Sequence, residues 1–230
     1  MKTPTLAQSD SAGHRARLRG RLLEGGGDAL LDYELVEYLL ALAIPRRDTK
    51  PLAKQLLSDF GGIAGLLTAD PAAIARTQGV GETAVAAIKI VHAVALRMLR
   101  TEVSNAPILA SWQALLDYLH ADMAHSLTER VRVLHLNGKN MLIRDEVMSE
   151  GSVDQAAIYT REVIRRAIDL GSTAIILVHN HPSGDPKPSK ADISLTRDIA
   201  EAARHMGIGL HDHIIIGAQG HSSLRAMGLI

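Results

Sequence analysis

Cysteine is absent from the 230 residues, which excludes a disulfide framework and any thiolate metal site. A metal, if bound, must sit on His, Asp or Glu. Aromatic residues are scarce at 3%, with one Phe and one Trp, so Leu, Ile, Val and Ala must build the core. Long apolar runs are lacking too, and no stretch approaches the length that spans a bilayer. Met1–Gly13 is small and polar, without the hydrophobic centre of a secretory signal. These absences fit a soluble, cytoplasmic chain that makes no use of a membrane. What is present is globular in character: 47% apolar and 22% charged residues, at a length that permits one large domain or two small ones.

Net charge is zero but unevenly spread. Residues 1–101 carry 13 Lys/Arg against 10 Asp/Glu, and residues 102–230 carry 12 against 15. The basic excess concentrates in His14-Arg15-Ala16-Arg17-Leu18-Arg19-Gly20-Arg21. Such a cluster can contact phosphates, and it can equally be a solvated helix turn.

Residues 1–13 read as a flexible tail. From Ala29 to Leu42, Leu31, Leu35, Leu39 and Leu42 recur at helical spacing, with Leu30 and Leu40 widening the stripe. Thr49–Phe60 repeats the pattern and Gly61-Gly62 ends it. Short helices are expected at Ile63–Leu67 and Pro71–Ala75, and a long alanine-rich one at Thr83–Leu99. Residues 14–101 are therefore expected to be all-helical, with 102–110 as a linker and 111–230 as a second domain. Ser104-Asn105-Ala106-Pro107 carries the linker reading.

Beyond it the period changes. Ser111–Leu119 reads as a helix with Ser111 as N-cap. Arg130–Leu136 alternates as a strand does, Asn137-Gly138 suits a two-residue hairpin turn, and Met141–Val147 is the return strand. Thr160–Leu170 reads as a helix capped by Thr160. Thr173–His179 reads as a buried strand. Ser189–Met206 reads as an amphipathic helix with Ile193, Leu195, Ile199, Ala202 and Met206 inward, and Gly209–Gly217 as a last strand. The second half is thus a mixed α/β domain.

The informative stretch is His179-Asn180-His181-Pro182-Ser183-Gly184-Asp185-Pro186-Lys187-Pro188-Ser189-Lys190-Ala191-Asp192. On a strand, residues i and i+2 point to one side, so His179 and His181 can present imidazoles to one ion. The proline-rich loop is stiff and returns to a helix whose first turn holds Asp192. Two His and one carboxylate leave a fourth position for water, which is how catalytic zinc sites are built. Zinc lowers the pKa of its water to about 7, and a nearby hydroxyl can stabilise an oxyanion. Two surface histidines and a helix-start pair, Ser189 with Asp192, need no metal. It is the joint occurrence of strand, stiff loop and helix start that favours one.

His-x-His-Pro, a loop, then Ser-x-x-Asp resembles the signature of JAMM (JAB/MPN) metalloproteases. The fuller string, with Gly13-His14-Arg15-Ala16-Arg17-Leu18-Arg19 and Ile44-Pro45-Arg46-Arg47-Asp48-Thr49-Lys50-Pro51, resembles the bacterial RadC family from about Gly13 to Ile230. The resemblance implies an α+β chain: an all-helical, helix-hairpin-helix-like N-terminal domain followed by a mixed α/β JAMM (cytidine-deaminase-like) zinc domain. It implies His179, His181 and Asp192 as zinc ligands and Ser189 as the group that polarises a substrate carbonyl. It implies Glu129 as the acid/base, with Glu146 and Glu150 as competitors. It implies a hydrolase of amide or isopeptide bonds in an unknown protein or peptide, with DNA processing in repair or recombination, or DNA binding with an idle metal site, as alternatives. Ala226 stands where that family usually has glutamate, and Thr160 where proline is common.

His211-Asp212-His213 invites a second metal site, and the resemblance favours instead a supporting or core role for Asp212 and His213. Gly79-Val80-Gly81 resembles a helix-hairpin-helix turn, whose backbone N–H groups can meet a DNA phosphate. Glu82, at the start of the next helix, would repel one.

Overall fold

The structure, a computed structural model, describes residues 6–45, 47–151 and 158–230. The chain divides into two compact units near Val94/Ala95.

The first unit is helical. It holds α1 (Leu6–Gly25), α2 (Asp32–Ala43), α3 (Lys50–Asp59), α4 (Ile63–Thr68), α5 (Pro71–Ala75) and the start of α6 (Glu82–Asn105). Leu40, Leu52, Leu56, Leu66, Ile74 and Ile88 form its core. The stretch expected as a flexible tail enters α1 at Leu6, and residues 1–5 of it lie outside the described residues. The stretch expected as a linker at 102–110 is helical as far as Asn105.

The expected inner face of α2 is rotated. Leu31 and Leu42 are exposed, while Glu34, Val36, Glu37, Leu40 and Ala41 are buried. The physical reason lies across the interface: α2 turns two carboxylates to the basic helix α1. Arg21 donates two hydrogen bonds to Glu34, at 2.8 and 2.9 Å, and His14 Nε2 lies 3.0 Å from Glu37 Oε1. Arg15 donates to the carbonyls of Pro45 and Arg47. Three members of the basic cluster are therefore engaged within the unit, while Arg17 and Arg19 stay exposed. The Gly79-Val80-Gly81 turn does join α5 to α6. Val80 is buried, and Arg47 donates to the Gly79 carbonyl at 3.2 Å.

The second unit is a sheet between helices. Its strands are β1 (Arg130–Leu136), β2 (Leu142–Glu150), β3 (Ala174–Asn180), β4 (Gly209–Gly217) and β5 (Gly220–Ser223), in the order β2-β1-β3-β4-β5. Only β3 and β4 pair in parallel, and α9 (Lys190–His205) is their crossover. One face of the sheet buries Leu134, Ile176, Val178, Ile214 and Ile216 against α7 (Trp112–Met123). The other buries Val133, Ile175 and Leu177 against α8 (Thr160–Asp169) and α9. This explains why β3 reads as a continuous aliphatic run: it is central and covered on both sides.

Several local expectations shift. The hairpin connection runs over the five residues 137–141, not two, and Asn137 N–H bonds the Met141 carbonyl across it at 3.1 Å. Asn140 takes φ 57°, its N–H closes a turn on the Asn137 carbonyl at 2.8 Å, and the Asn137 side chain accepts from Lys139 and Met141. Asn137 thus initiates the turn and Asn140 holds the left-handed position. The return strand runs on to Glu150. Ser111 occupies the N-cap of α7 but donates its hydroxyl to the Pro107 carbonyl, and Tyr159, not Thr160, caps α8. On α9, Met206 is 59% exposed while Thr196 is fully buried. Strand β5 falls within a stretch that carried no strand expectation. No helix among the described residues is long and apolar enough to cross a membrane.

Candidate metal centre

The site lies at the carboxyl end of β3, where its ladder with β1 ends at Val131↔His179. His179 is the sixth residue of the strand, and the following residue but one, His181, still donates its backbone N–H to the Ile216 carbonyl at 2.9 Å. The two rings therefore project to the same side, the side covered by α9. Their Nε2 atoms are 3.0 Å apart. Asp192, in the first turn of α9, places Oδ1 3.5 Å from His179 Nε2 and Oδ2 3.6 Å from His181 Nε2.

The loop between them is pinned as well as stiff. Gly184 N–H closes a turn on the His181 carbonyl at 2.9 Å, and the Gly184 carbonyl accepts from Gln219 at 3.1 Å. It passes so close to β4 that a Cβ at Gly217 would lie 2.3 Å from the Gly184 oxygen. Only glycine fits there.

Each ring's other nitrogen is occupied. His181 Nδ1 lies 2.8 Å from the Asp185 carbonyl oxygen, which can only accept, so Nδ1 carries the proton. His179 Nδ1 lies 2.8 Å from Nε2 of the buried His213. With its proton on Nδ1, a neutral His181 presents a bare Nε2 to His179 Nε2 at 3.0 Å beside a carboxylate, an arrangement with room and charge for a cation between them. A tetrahedral shell with metal–ligand bonds of about 2.1 Å has edges of about 3.4 Å. The separations of 3.0, 3.5 and 3.6 Å match that size. The three donors lie within 4.8 Å of one another and can hold a metal ion.

The electrostatics favour a cation at the site. Burial drives the His179 pKa down to about 4, keeping the ring neutral. The neighbouring Asp192 carboxylate raises that of His181, against its partial burial, and so favours positive charge at this nitrogen. Burial pushes the Asp192 carboxyl up. The two neighbouring histidines and the two Ser189 hydrogen bonds outweigh it and hold the group well below the usual carboxylate range.

Ser189 is the N-cap of α9. Its Oγ accepts from Asp192 N–H at 3.1 Å, and its own N–H donates to Asp192 Oδ2 at 2.7 Å. The capping box and the metal reading of this pair are therefore compatible: the cap orients the carboxylate and leaves the Ser189 hydroxyl proton free to point outward. Glu129 precedes β1 and is partly buried. Burial raises its carboxyl pKa, and the charges of His181 and Asp192 both act on it. Among the three glutamates considered, Glu129 is thus the one linked to the site. Glu146 instead accepts three hydrogen bonds from Arg166. Glu150 is exposed on the outer strand.

Asn180, between the two histidines, faces the opposite side and is fully buried. Its Oδ1 accepts from Arg130 N–H at 2.9 Å and its Nδ2 donates to the Thr128 carbonyl at 3.0 Å. It clamps the peptide groups on both sides of Glu129. Sequence reasoning assigned it no role, since an asparagine at a strand end carries no local sign of a partner 50 residues away.

The His211-Asp212-His213 triplet does not form a second metal site. His211 Nε2 bonds Asn140 Oδ1 at 2.7 Å, at the far end of the strand. Asp212 accepts from the N–H groups of His213 and Arg225 and from the Ser223 hydroxyl, which fastens β5 to β4. Only His213 reaches the site.

A family model described as the RadC-like JAB domain matches residues 109–229, the second unit almost entire. The chain is also similar to a UPF0758 protein of Rhodobacter capsulatus, 52% identical over 213 residues, which is 93% of this chain and 100% of the relative. The helical unit, the mixed sheet and the His-His-Asp cluster at the end of β3 agree with these matches, and the chain belongs to the RadC family.

Proposed function

We propose that the protein is a metal-dependent hydrolase of amide or isopeptide bonds in a protein or peptide substrate, with zinc held by His179, His181 and Asp192. The observation that carries the reading is the convergence of two imidazole Nε2 atoms and one carboxylate, with a partly buried glutamate whose carboxyl feels the charges of His181 and Asp192. When bound, zinc supplies Lewis acidity and makes water ionisable near neutral pH. Glu129 takes the proton of the attacking water and delivers it to the leaving amine nitrogen. Its raised pKa suits both halves of that transfer. The Ser189 hydroxyl, whose oxygen already accepts from Asp192 N–H, donates its proton to the oxyanion that develops on the carbonyl.

The test joins metal analysis to a substrate screen. Purified protein is expected to hold one zinc per chain, and His179→Ala to lose it. Peptide or isopeptide cleavage is expected from the wild type and not from Glu129→Gln. Absence of stoichiometric metal in the wild type sinks the reading. Metal-dependent cleavage of branched or single-stranded DNA that Glu129→Gln abolishes replaces the amide bond with a phosphodiester. Salt-sensitive DNA binding without any cleavage, lost on removing residues 1–101, replaces the enzyme with a binding module.

A further inference from the structure

Behind His179 runs a chain of hydrogen bonds that the hydrolase reading leaves unused. His179 Nδ1 is 2.8 Å from His213 Nε2, and His213 Nδ1 is 2.5 Å from Thr196 Oγ1. Thr196 Oγ1 in turn bonds the backbone carbonyl of Asp192, one helical turn earlier in α9. His213 and Thr196 are buried, at 2% and 0% exposure.

The chain has a direction, because its last member can only accept. A carbonyl oxygen has no proton, so the Thr196 hydroxyl must donate to it. That hydroxyl has a single proton, so toward His213 it must accept. His213 Nδ1 therefore carries the ring proton. A deeply buried imidazole with no carboxylate against it is neutral, so His213 Nε2 is bare. It accepts from His179 Nδ1–H, and His179 Nε2 is left with its lone pair. Were His213 to donate from Nε2 instead, the proton of a neutral His179 would sit on its Nε2, where it blocks coordination.

We propose that Thr196 is a positioning residue whose hydroxyl, through His213, fixes the tautomer of His179 that binds metal. The role rests on the reading of His179, His181 and Asp192 as a metal site. It places the origin of the ligand's orientation in α9, the helix that also supplies Asp192. The outer partners of metal-bound histidines commonly set both ring orientation and affinity.

Thr196→Val keeps the shape of the side chain and removes the hydroxyl, while Thr196→Ser keeps the hydroxyl. In the full chain, zinc affinity measured by competition with a chromophoric chelator is expected to fall about 10–100-fold in Thr196→Val and to stay within about threefold of wild type in Thr196→Ser. Nitrogen-15 NMR of the metal-free wild type at neutral pH is expected to show His213 and His179 both protonated at Nδ1. That second measurement needs neither metal nor a variant, so it stands if Thr196→Val does not fold. It also separates the two readings: the expected tautomers in a protein that binds no zinc sink the metal site and leave the hydrogen-bond chain standing. The proposal is overturned if His213 is protonated at Nε2, if folded Thr196→Val binds zinc as wild type does, or if Thr196→Ser loses as much affinity as Thr196→Val.

Discussion

Replacing Asn180 tests the link between the metal donors and the proposed base. The side chain is fully buried, and both ends of its amide are used, one on Arg130 N–H and one on the Thr128 carbonyl. Asn180→Ala leaves a part-buried donor and a part-buried acceptor without their partner. Each costs about 1–3 kcal/mol, so the sum is about 2–6 kcal/mol, toward the lower end if water enters the space. Asn180→Asp keeps an acceptor for Arg130 N–H but turns a carboxylate oxygen toward the Thr128 carbonyl, 3.0 Å from the present Nδ2. It is expected to cost at least as much as alanine, although it is nearly the same size. Urea unfolding followed by tryptophan fluorescence reads this cleanly. Trp112 is the protein's one tryptophan and packs on the core of the sheet unit, so it reports that unit and not the helical one. With an m-value of about 2 kcal/mol/M, the midpoint is expected to drop by at least about 1 M. Zinc affinity should change far less than turnover, because His179 and His181 face the other side of the strand while Glu129 loses its clamp. An Asn180→Ala protein that unfolds within about 0.5 kcal/mol of wild type would refute the reasoning.

Three further outcomes follow from the same geometry. In Gly217→Ala the new Cβ meets only backbone, 2.3 Å from the Gly184 oxygen and 3.1 Å from Pro186 N, so the loop must lift; a loss of about 1–3 kcal/mol and weaker zinc binding by calorimetry are expected, and wild-type values for both would count against the close fit. Arg132→Leu strands the fully buried Asp145 side chain and Asp122, which Arg132 pairs together, and a loss of about 3–5 kcal/mol is expected in the Trp112 unfolding curve. For metal-free protein, stability should fall between pH 6.5 and 5: the folded His179 ring ionises only near 4, so the unfolded chain gains a proton first, and this group alone removes about 1–2 kcal/mol. His213 acts in the same direction, while His181, whose pKa is raised, opposes it weakly, because the unfolded ring still takes up proton below 6.5 where the folded ring already holds more. Glu129 opposes the trend only toward the acid end, and a urea midpoint unchanged from pH 6.5 to 5 would show that these rings are not held neutral.

The sequence was most legible where chemistry and local geometry coincide. His179, His181 and Asp192 could be placed together because a strand end, a proline-stiffened loop and a helix start each have a short-range signature. The strands β1, β3 and β4 could be read because period and aliphatic content are local too. What escaped was set by partners distant in the chain. Glu34 and Glu37 broke the apolar stripe of α2 because their partners, Arg21 and His14, lie on another helix. Thr196 is a polar residue on the inner face of an amphipathic helix, and nothing beside it in the sequence announces His213. Met206 fits the apolar period of α9 but falls at its C-cap, where the chain has already turned away.

Strand β3 also answers how the two histidine donors and the base can keep their spacing although about 50 residues of chain separate them. Three consecutive residues do it. His179 and His181 project to the α9 side, and Asn180, between them, projects to the α7 side and grips the peptides flanking Glu129. Side-chain alternation in a strand is a property of the pleat and cannot slip by a fraction of a residue. A shift of β3 that carried the histidines would therefore carry Glu129 with it. The rigidity that places the two histidine donors is the same rigidity that places the proposed base, and it resides in one covalent segment, while Asp192 is brought in by α9.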